Sequence, residues 1–458
     1  MKYTSGEKNW YTNLALFGDS SSALFLSFGL LVLSFFISLY MDGNLQSVSW
    51  ELSSTERAYR KLGPIPNIAP PRIFHVNDEL GDKNLVSEEM QEAFDRDGVI
   101  AVRGLLDPAL LSALDDATQM IVSRQKEKDK AKSKTKPKVL TGRKKAPKQF
   151  FTVNQGTIFS SVDGGNSTSV DSPFVKVAMT SKIPQVIAGL IGFDCETCEH
   201  ANKTLRILRD IFLAKDEEEY VCGWHVDDVG FWPAIVEELG EPVGVNAWIA
   251  LDDMPTEIGG GFALAVGSHS SPWKEEAYRS IGSTHSFPKA GFNSSRDILQ
   301  NRPGNGTCNI EHTAPHLHRR MEETKRVYNI KAGDIIFHTR WLFHKTIPFS
   351  RDVVSKRAAK NEEPIVYRRY SIRYGPGTSI IPPGYGTEPS VISEEKNGGR
   401  SADHVSEHDA AWYPRVWPSI IDNEIEEMQL LAKDRLPKAL QKSDQRRKVI
   451  RPRVKRQY

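Results

Sequence analysis

Cysteine is scarce in this chain of 458 residues, which contains only Cys195, Cys198, Cys222 and Cys308. So few cysteines exclude a disulfide-stabilised scaffold, and a chain of this length does not need one. Cys195 and Cys198 have the spacing of a redox or zinc pair, but no second pair follows to complete a tetrahedral site. We interpret them as ordinary loop thiols or one local disulfide.

A strong charge imbalance is also absent, because 60 basic and 58 acidic residues give a formal net charge of +2. This balance argues against a nucleic-acid partner. Basic residues concentrate in two segments, Lys126–Lys148 and Arg446–Arg456. Hydrophobic residues make up 39% of the chain and charged residues 26%, which is typical of a globular protein. The length suits one large catalytic domain with insertions and tails.

Long hydrophobic runs are rare too, and one stands out near the N-terminus. Ser20–Met41 contains no charged residue, and ~20 apolar residues can span a bilayer. The run exceeds the core of a usual signal peptide, and no clear cleavage site follows, so we expect a single-pass membrane anchor. Lys2 and Lys8 favour a cytosolic N-terminus. The catalytic part would then lie in the lumen of the endoplasmic reticulum or Golgi, whereas cleavage would give a secreted protein.

The remaining organisation follows from composition. Residues 1–45 form the anchor or signal segment, 46–85 a proline-containing linker, 86–422 the catalytic domain, and 423–458 a helical and basic tail. Residues 124–148 are dominated by lysine and are predicted to be a solvated insertion without order of their own. Residues 273–327 are rich in glycine, asparagine, arginine and histidine and are predicted to be a second, irregular insertion. The sequence contains no internal repeats.

Local signals predict several secondary-structure elements in the catalytic domain. A helix begins after Ser87 as N-cap and ends at Gly98, and the apolar run Val99–Gly104 follows as a strand. Asp107 caps a second helix, with Pro108 at its first position. Short apolar runs between turn residues predict further strands at 205–214, 244–251, 261–266, 326–330, 334–338 and 366–374.

A candidate metal motif lies in the sequence Gly-Trp-His-Val-Asp, residues 223–227. In a strand, side chains two residues apart project from the same face, so His225 and Asp227 can bind one metal ion. A facial triad needs a third ligand from elsewhere in the chain. The tripeptide alone has little specificity, but further segments follow it in order: Asn246–Asp253, Gly259–Phe262, Val266–His269, Lys331–His338, Trp341–Thr346 and Arg368–Tyr374.

With these segments in this order, residues from about Glu88 to Tyr374 resemble the phytanoyl-CoA dioxygenase family. The resemblance implies a mainly β fold with flanking helices, a double-stranded β-helix or cupin-like jelly roll. It implies an oxygenase that uses Fe(II), 2-oxoglutarate and O2 and releases succinate and CO2. It also implies iron ligands at His225, Asp227 and His344, and 2-oxoglutarate contacts at Trp248, Thr346 and an arginine near Arg369.

The arginine is where the chain departs from the family pattern. When the last strand is aligned on Ser371 and Tyr374, the family's cosubstrate arginine falls on Tyr367. Arg369 lies two residues further on, faces the same way, and is our substitute for it. Arg368 should face the opposite side of the strand, unless a bulge shifts the register.

Other histidines have simpler interpretations. We expect His338 to be structural and His269 to hold a loop by hydrogen bonds. The cluster Glu311–His318 could bind a second metal, but a solvated loop is the simpler interpretation. Trp248 can be both a core aromatic residue and part of the cosubstrate pocket.

The leading hypothesis is a hydroxylase acting on a small-molecule or lipid-like substrate that the sequence does not identify. The carboxylate at Asp227 favours hydroxylation, because related halogenases carry a small residue there. Two alternatives stay open. The displaced arginine allows a degenerate, membrane-anchored binding protein on the same fold, and the same three ligands could serve a zinc hydrolase.

Overall fold

The computed structural model describes residues 55–65, 68–76, 85–135, 152–155, 172–193, 203–217, 223–226, 244–270, 272–273, 276, 310–381, 400–401 and 413–418. The chain divides into two compact units, residues 1–61 and 62–458. In the first unit residues 55–60 are helical, and Arg60 pairs with Glu56 at 3.4 Å. The elements below belong to the second unit.

The strands of the described residues are β1 (Ile73–His75), β2 (Val99–Arg103), β3 (Thr152–Gln155), β4 (Leu205–Asp216), β5 (Val245–Ala250), β6 (Phe262–Ala265), β7 (Lys325–Val327), β8 (Ile335–Thr339), β9 (His344–Thr346), β10 (Val366–Pro376), β11 (Ile380–Ile381), β12 (Arg400–Ser401) and β13 (Arg415–Trp417). The helices are α1 (Glu88–Asp97), α2 (Pro108–Thr135), α3 (Pro173–Val175), α4 (Ile183–Leu190), α5 (Ile310–Thr313), α6 (Pro315–Glu323) and α7 (Arg351–Ala359). A π-helical segment, Lys176–Thr180, directly follows α3.

Two sheets form the framework of this unit. The larger sheet has the order β1-β2-β8-β5-β10-β4-β13, with β3 also paired to β4, and the smaller has the order β7-β6-β9. Strands distant in sequence are neighbours in both sheets, and among the described residues all strand pairings are antiparallel except that of β1 with β2. The mainly β fold with flanking helices is thereby confirmed, and the arrangement is consistent with a jelly roll.

Helix α1 shows how local sequence sets the element boundaries. The Ser87 hydroxyl accepts a hydrogen bond from the Met90 backbone N–H at 3.2 Å, which caps the first turn. At the other end Gly98 adopts φ +74°, and its N–H donates to the Phe94 carbonyl at 2.7 Å. Met90 and Phe94 are buried against the larger sheet's apolar cluster. The predicted helix and both of its caps are confirmed.

The larger sheet separates two apolar clusters, because strand side chains alternate between its faces. On β5, Ala247 and Ile249 point to the outer cluster, which also contains side chains from α1, α2, α3 and α4. Trp248 and Ala250 point to the inner cluster, together with Phe262 and other residues of the smaller sheet. The inner face is therefore the face that looks towards the smaller sheet.

Two predicted irregular regions contain ordered structure, which corrects the sequence analysis. Part of the predicted linker forms β1, which pairs with β2 from Ile73 to His75. Part of the lysine-rich insertion, residues 124–135, continues α2. The preceding turns of α2 pack Ile121 and Val122 against the outer cluster, and lysine, alanine and glutamate favour helix even where little is buried. The prediction was wrong for residues 124–135 because it considered only how little apolar surface they could bury and not their helix propensity.

The second predicted insertion, residues 273–327, is likewise not irregular where it is described. Residues 310–327 form α5, α6 and β7, and β7 pairs with β6 in the smaller sheet. The histidines at 316 and 318 lie on α6, so the expectation of a solvated loop is wrong. In α6, Leu317 and Met321 are fully buried, and this burial provides the hydrophobic stabilisation that the polar composition obscured.

Within the described ranges, no helix combines the length and apolar character required to cross a bilayer. The predicted anchor at Ser20–Met41 and the predicted C-terminal helix at 423–440 lie outside the described residues. Both stay predictions.

Candidate functional site

Two of the three predicted metal ligands meet on neighbouring strands. His225 and His344 form an antiparallel bridge, in which the His225 N–H donates to the His344 carbonyl at 3.0 Å. The His344 N–H donates back to the His225 carbonyl at 2.8 Å. Their imidazole rings lie with centroids 4.5 Å apart, although 118 residues separate the two histidines in the sequence.

The two imidazoles are oriented in the same way. The Nδ1 of His225 lies 2.8 Å from the Gly223 carbonyl, and the Nδ1 of His344 lies 3.0 Å from the Leu342 carbonyl. A carbonyl oxygen only accepts, so in each contact Nδ1 carries the proton and Nε2 the lone pair. Backbone carbonyls commonly orient metal-binding histidines in this way. The donor chemistry of this pair therefore fits a divalent metal ion.

The third predicted ligand, Asp227, lies outside the described residues, which stop at Val226 and resume at Gly244. The described residues contain no group of three or more metal-binding side chains. The role of the Asp227 carboxylate as the third ligand therefore stays a prediction.

An aromatic contact lies beside the histidines. The Phe262 ring centroid is 5.1 Å from that of His344, and Trp248 stacks on Phe262 at 5.1 Å with an interplanar angle of 3°. Trp248 is buried in the inner cluster and is not among the side chains that line the pocket described next. Phe262 was missed by the sequence analysis, although the preceding Gly-Gly-Gly segment marked a place where chains approach closely.

A pocket of about 360 Å³ opens beside the end of β9. Thr346, two residues after His344 on that strand, lines it together with Arg369. Both residues were predicted to contact the cosubstrate, and that role stays a prediction. The other lining residues are Lys215, Asp216, Glu217, Gly260, Pro348, Phe349, Arg351, Val354, Ser355 and Tyr367. Lys215 and Arg351 were not predicted, and only the tertiary structure brings them to Arg369.

Strand register separates the two consecutive arginines. Arg369 of β10 lies opposite Ala250 of β5, so its side chain is on the inner face, where it is 7% exposed. Arg368 lies on the opposite face, where its guanidinium contacts Asp252 at 2.6 Å and Asp115 at 2.7 Å. Burial lowers the pKa of Arg368, but the hydrogen bonds that its guanidinium donates to these two carboxylates outweigh burial and leave the pKa raised. The predicted facing of both arginines is confirmed, without a bulge between them.

Tyr367, the residue at the family's usual arginine position, is also directed into this pocket. Burial first, and the nearby carboxylates of Asp252, Asp253 and Glu257 second, raise the pKa of Tyr367 to about 12. Its hydroxyl therefore stays protonated at physiological pH and can donate a hydrogen bond to an anion.

The floor of the pocket requires a glycine. Gly260 has φ +74°, and a Cβ there would lie 2.5 Å from Phe349 Cζ and 2.7 Å from Tyr367 Cδ2. Phe349 and Tyr367 pack with ring centroids 5.1 Å apart. Any side chain at 260 would therefore displace one of these two rings, both of which line the pocket.

Three other described histidines make contacts typical of structural residues. His338 donates from Nδ1 to the Thr339 carbonyl at 2.9 Å and accepts from the Asn246 amide at 2.9 Å, so both ring nitrogens are engaged. His269 Nε2 contacts the Asp95 carbonyl at 3.2 Å, which ties its loop to α1. His316 forms a buried pair with Glu276 at 3.0 Å.

Several solved structures are similar to this chain at low sequence identity. The non-haem α-ketoglutarate-dependent carbocyclase SnoK from nogalamycin biosynthesis is 16% identical and matches 73% of this chain and 98% of its own, with a TM-score of 0.45. HygX from Streptomyces hygroscopicus, solved with nickel, 2-oxoglutarate and hygromycin B, is 14% identical and matches 69% and 98%, with a TM-score of 0.34.

No curated protein sequence matches the chain. The family model for phytanoyl-CoA dioxygenase matches residues 94–353, which is more than half of the chain and includes His225, Asp227 and His344. The order of motifs, the paired sheets and the facing histidines agree with that match. This chain belongs to the phytanoyl-CoA dioxygenase family of enzymes that depend on Fe(II) and 2-oxoglutarate.

Proposed function

We propose that this protein is a dioxygenase that hydroxylates a small-molecule or lipid-like substrate and releases succinate and CO2. The observation that carries the proposal is the pair His225 and His344, with both Nδ1 atoms bound to backbone carbonyls and Thr346 leading from His344 into a pocket that contains Arg369. These features support a metal site with an adjoining site for a dianionic cosubstrate.

In this proposal His225, Asp227 and His344 would hold Fe(II). When bound, Fe(II) and 2-oxoglutarate would together supply the electrons that activate O2, so that one oxygen atom enters a substrate C–H bond. The protein contributes orientation, since the Gly223 and Leu342 carbonyls fix the two imidazole planes before any ligand arrives.

The pocket residues bind and orient the cosubstrate. The Arg369 guanidinium forms charge-assisted hydrogen bonds with the distal carboxylate, and the Thr346 and Tyr367 hydroxyls donate to the same group. Phe262, with Trp248 stacked behind it, covers the His344 side of the site and excludes water from it. Trp248 thus acts through Phe262 rather than by lining the pocket.

The residue at position 227 supports hydroxylation as the outcome. The Asp227 carboxylate would serve as the third protein ligand, whereas related halogenases carry a small residue at this position, which leaves room for chloride. The substrate is not identified by the residues that line the pocket.

Turnover of 2-oxoglutarate tests the proposal. The purified chain is reconstituted with Fe(II) without O2, and succinate release is followed after O2 is added with a panel of small-molecule and lipid-like candidates. We expect succinate to depend on both Fe(II) and 2-oxoglutarate, and to rise with the correct substrate. A zinc hydrolase would instead be active with Zn²⁺ and without 2-oxoglutarate, and a degenerate binding protein would release no succinate with any candidate.

We further propose that Ser20–Met41 anchors the protein as a single span with a lumenal catalytic domain in the endoplasmic reticulum or Golgi. The support is the uncharged apolar run itself. Full-length protein should stay with membranes after a carbonate wash, whereas a chain starting near Gln46 should not. A full-length product recovered in the soluble fraction with its N-terminus removed would show a cleaved signal and a secreted protein.

A further inference from the structure

A charged cluster lies on the outer face of the smaller sheet, directly behind the two histidines. The bridge between His225 and His344 is antiparallel, so Trp224 and Lys345 form the next cross-strand pair and point away from the metal site. The Lys345 Nζ lies 4.6 Å from the Trp224 ring centroid, a cation–π contact. The residues that flank the ligands are therefore in contact themselves.

One carboxylate from α6 connects this pair. Glu322 accepts a hydrogen bond from the Trp224 indole at 2.8 Å and forms an ion pair with the Lys345 ammonium. Its second oxygen accepts from Lys325 of β7 at 2.8 Å. Burial alone raises the pKa of Glu322, but hydrogen bonds from Lys325, Lys345 and Trp224 outweigh it and lower the pKa to about 2. The carboxylate is thus ionised throughout the physiological range.

The cluster is more than an exposed ion pair, which would contribute little. Trp224 is 1% exposed, and a buried indole N–H that loses its acceptor destabilises its surroundings. Lys345 is only 19% exposed, so its contacts are screened less than those of a surface lysine. Trp224 therefore depends on Glu322 for its hydrogen-bond acceptor, and Lys345 depends on it for a nearby negative charge.

The geometry of the ligands depends on these neighbours. The Gly223 carbonyl that orients the His225 imidazole belongs to the peptide unit leading into Trp224. A slip of one residue between the strands would turn a histidine to the opposite face. On its far side β9 pairs with β6, whereas the described part of the His225 segment joins β9 through the two hydrogen bonds of one bridge. A contact that fixes Trp224 against Lys345 therefore fixes the register of this bridge.

We propose that Glu322 is a positioning residue of the metal site, which links α6 to Trp224 and Lys345 and so holds His225 and His344 in their facing arrangement. This inference rests on the proposed function, because it assigns Glu322 a role in metal binding. It also gives α6 a function that its place in a predicted insertion did not suggest.

Metal affinity of the full-length chain tests this role. The dissociation constant for Mn(II) is measured in the presence of 2-oxoglutarate and without O2, together with the thermal unfolding midpoint of the metal-free protein. Glu322→Ala should weaken Mn(II) binding about 10-fold, as loss of a supporting contact does at other metal sites. Glu322→Gln should weaken it less, since the amide oxygen still accepts from Trp224.

Two further variants make the test specific. Glu323→Ala is the matched control, because Glu323 is the next residue of α6 and its ion pairs are with Arg319 and Arg320. It should leave Mn(II) affinity unchanged. Lys345→Gln, which keeps the bond from Trp224 to Glu322, provides a second variant if Glu322→Ala does not fold, and should weaken Mn(II) binding by a smaller factor.

The outcomes separate the two proposals. Wild-type affinity in a folded Glu322→Ala would overturn the positioning role even if the unfolding midpoint fell. If that variant does not fold, wild-type affinity in both Glu322→Gln and Lys345→Gln would overturn it, and so would an equal loss of affinity in Glu323→Ala. A wild-type chain that binds neither Mn(II) nor 2-oxoglutarate would overturn the proposed function first, and the role of Glu322 with it.

Discussion

Arg368 and Arg369 are neighbours on β10 and chemically identical, yet they lie in opposite environments. Arg368 faces outwards, where Asp252 and Asp115 hold its guanidinium. Arg369 faces inwards and lines the pocket with Thr346. The difference comes from strand alternation alone, because successive side chains project from opposite faces.

The same contrast extends over the whole larger sheet. Its outer face packs against helices through an apolar cluster that includes Ile249 and Ile372. Its inner face carries polar side chains at the paired positions, among them Ser371, whose hydroxyl donates to Asn246 at 2.8 Å. One face therefore accounts for much of the stability of the fold, and the other carries the candidate chemistry. Substitutions on the two faces should separate these properties.

The largest effect is expected on the inner face, at His225. His225→Ala removes one of two described imidazoles from a preformed site, so iron content and succinate release should fall below detection. The denaturation midpoint of the metal-free protein should stay close to that of wild type, since the outer cluster is untouched. Iron analysis, turnover and urea denaturation check this; normal iron content with normal turnover would remove His225 from the site.

A large effect on stability alone is expected at Asp97, which does not line the pocket. Its carboxylate accepts from Arg326 at 2.7 Å and from Arg96 at 2.9 Å, and the side chains of Asp97 and Arg326 are 3% and 4% exposed. Asp97→Asn leaves the Arg326 charge buried without its carboxylate, which should cost about 3 kcal/mol of unfolding free energy. The Michaelis constant for 2-oxoglutarate should not change. A rise in this constant would show that Asp97 affects the site as well as the stability of the fold.

The same residue gives a pH dependence with a defined sign. Burial raises the pKa of Asp97, but hydrogen bonds from Arg96 and Arg326 outweigh it, so the pKa lies below its ordinary value in the folded state. The stabilisation is therefore fully present above the unfolded pKa of about 4 and is lost as pH falls through the folded value. Urea denaturation from pH 7 to pH 3 should show a smaller loss in Asp97→Asn than in wild type, and parallel curves would contradict this assignment.

An intermediate effect should distinguish the two arginines directly. Arg369→Ala removes a charge-assisted contact of ~1.5–3 kcal/mol, which raises the Michaelis constant for 2-oxoglutarate roughly ten- to hundred-fold. Arg368→Ala should leave that constant unchanged and lower the unfolding free energy by about 1–3 kcal/mol, because Asp252 and Asp115 lose their cation. Steady-state kinetics under saturating iron, with denaturation of both variants, measures the contrast. A raised Michaelis constant for 2-oxoglutarate in Arg368→Ala alone would show that the roles of the two arginines are the reverse of those proposed.

The smallest effect is expected at the cap of α1 on the outer side. Ser87→Ala removes the hydroxyl that accepts from Met90, which should cost about 1 kcal/mol of unfolding free energy. Ser87→Asp, which keeps an acceptor, should restore most of it. Succinate release should be unchanged in both variants at a temperature where both are folded, and reduced turnover would show that the outer side also affects the site.

Much of the candidate site could be predicted because its signals are local. The spacing of His225 and Asp227 predicts that both side chains project from one face, and alternation from Ser371 correctly assigned the facing of Arg369. The role of Trp248 could not be derived in this way, because the stacking of Phe262 between it and His344 depends on how the two sheets approach. Lys215 and Arg351 joined the pocket for the same reason, since neither carries a local signal for that position.

The sequence by itself determined the elements whose causes lie within a few residues: the caps at Ser87, Asp107 and Gly98, the alternation of the strands, and the order of motifs that identifies the family. Tertiary structure alone decided the pairing of His225 with His344, the formation of helices and a strand in residues 310–327, and the contacts of Glu322 with Trp224 and Lys345 beside the two histidines. The physical reason is range. A cap or a strand face depends on neighbouring residues, whereas pairing between distant segments depends on apolar burial summed over the whole chain.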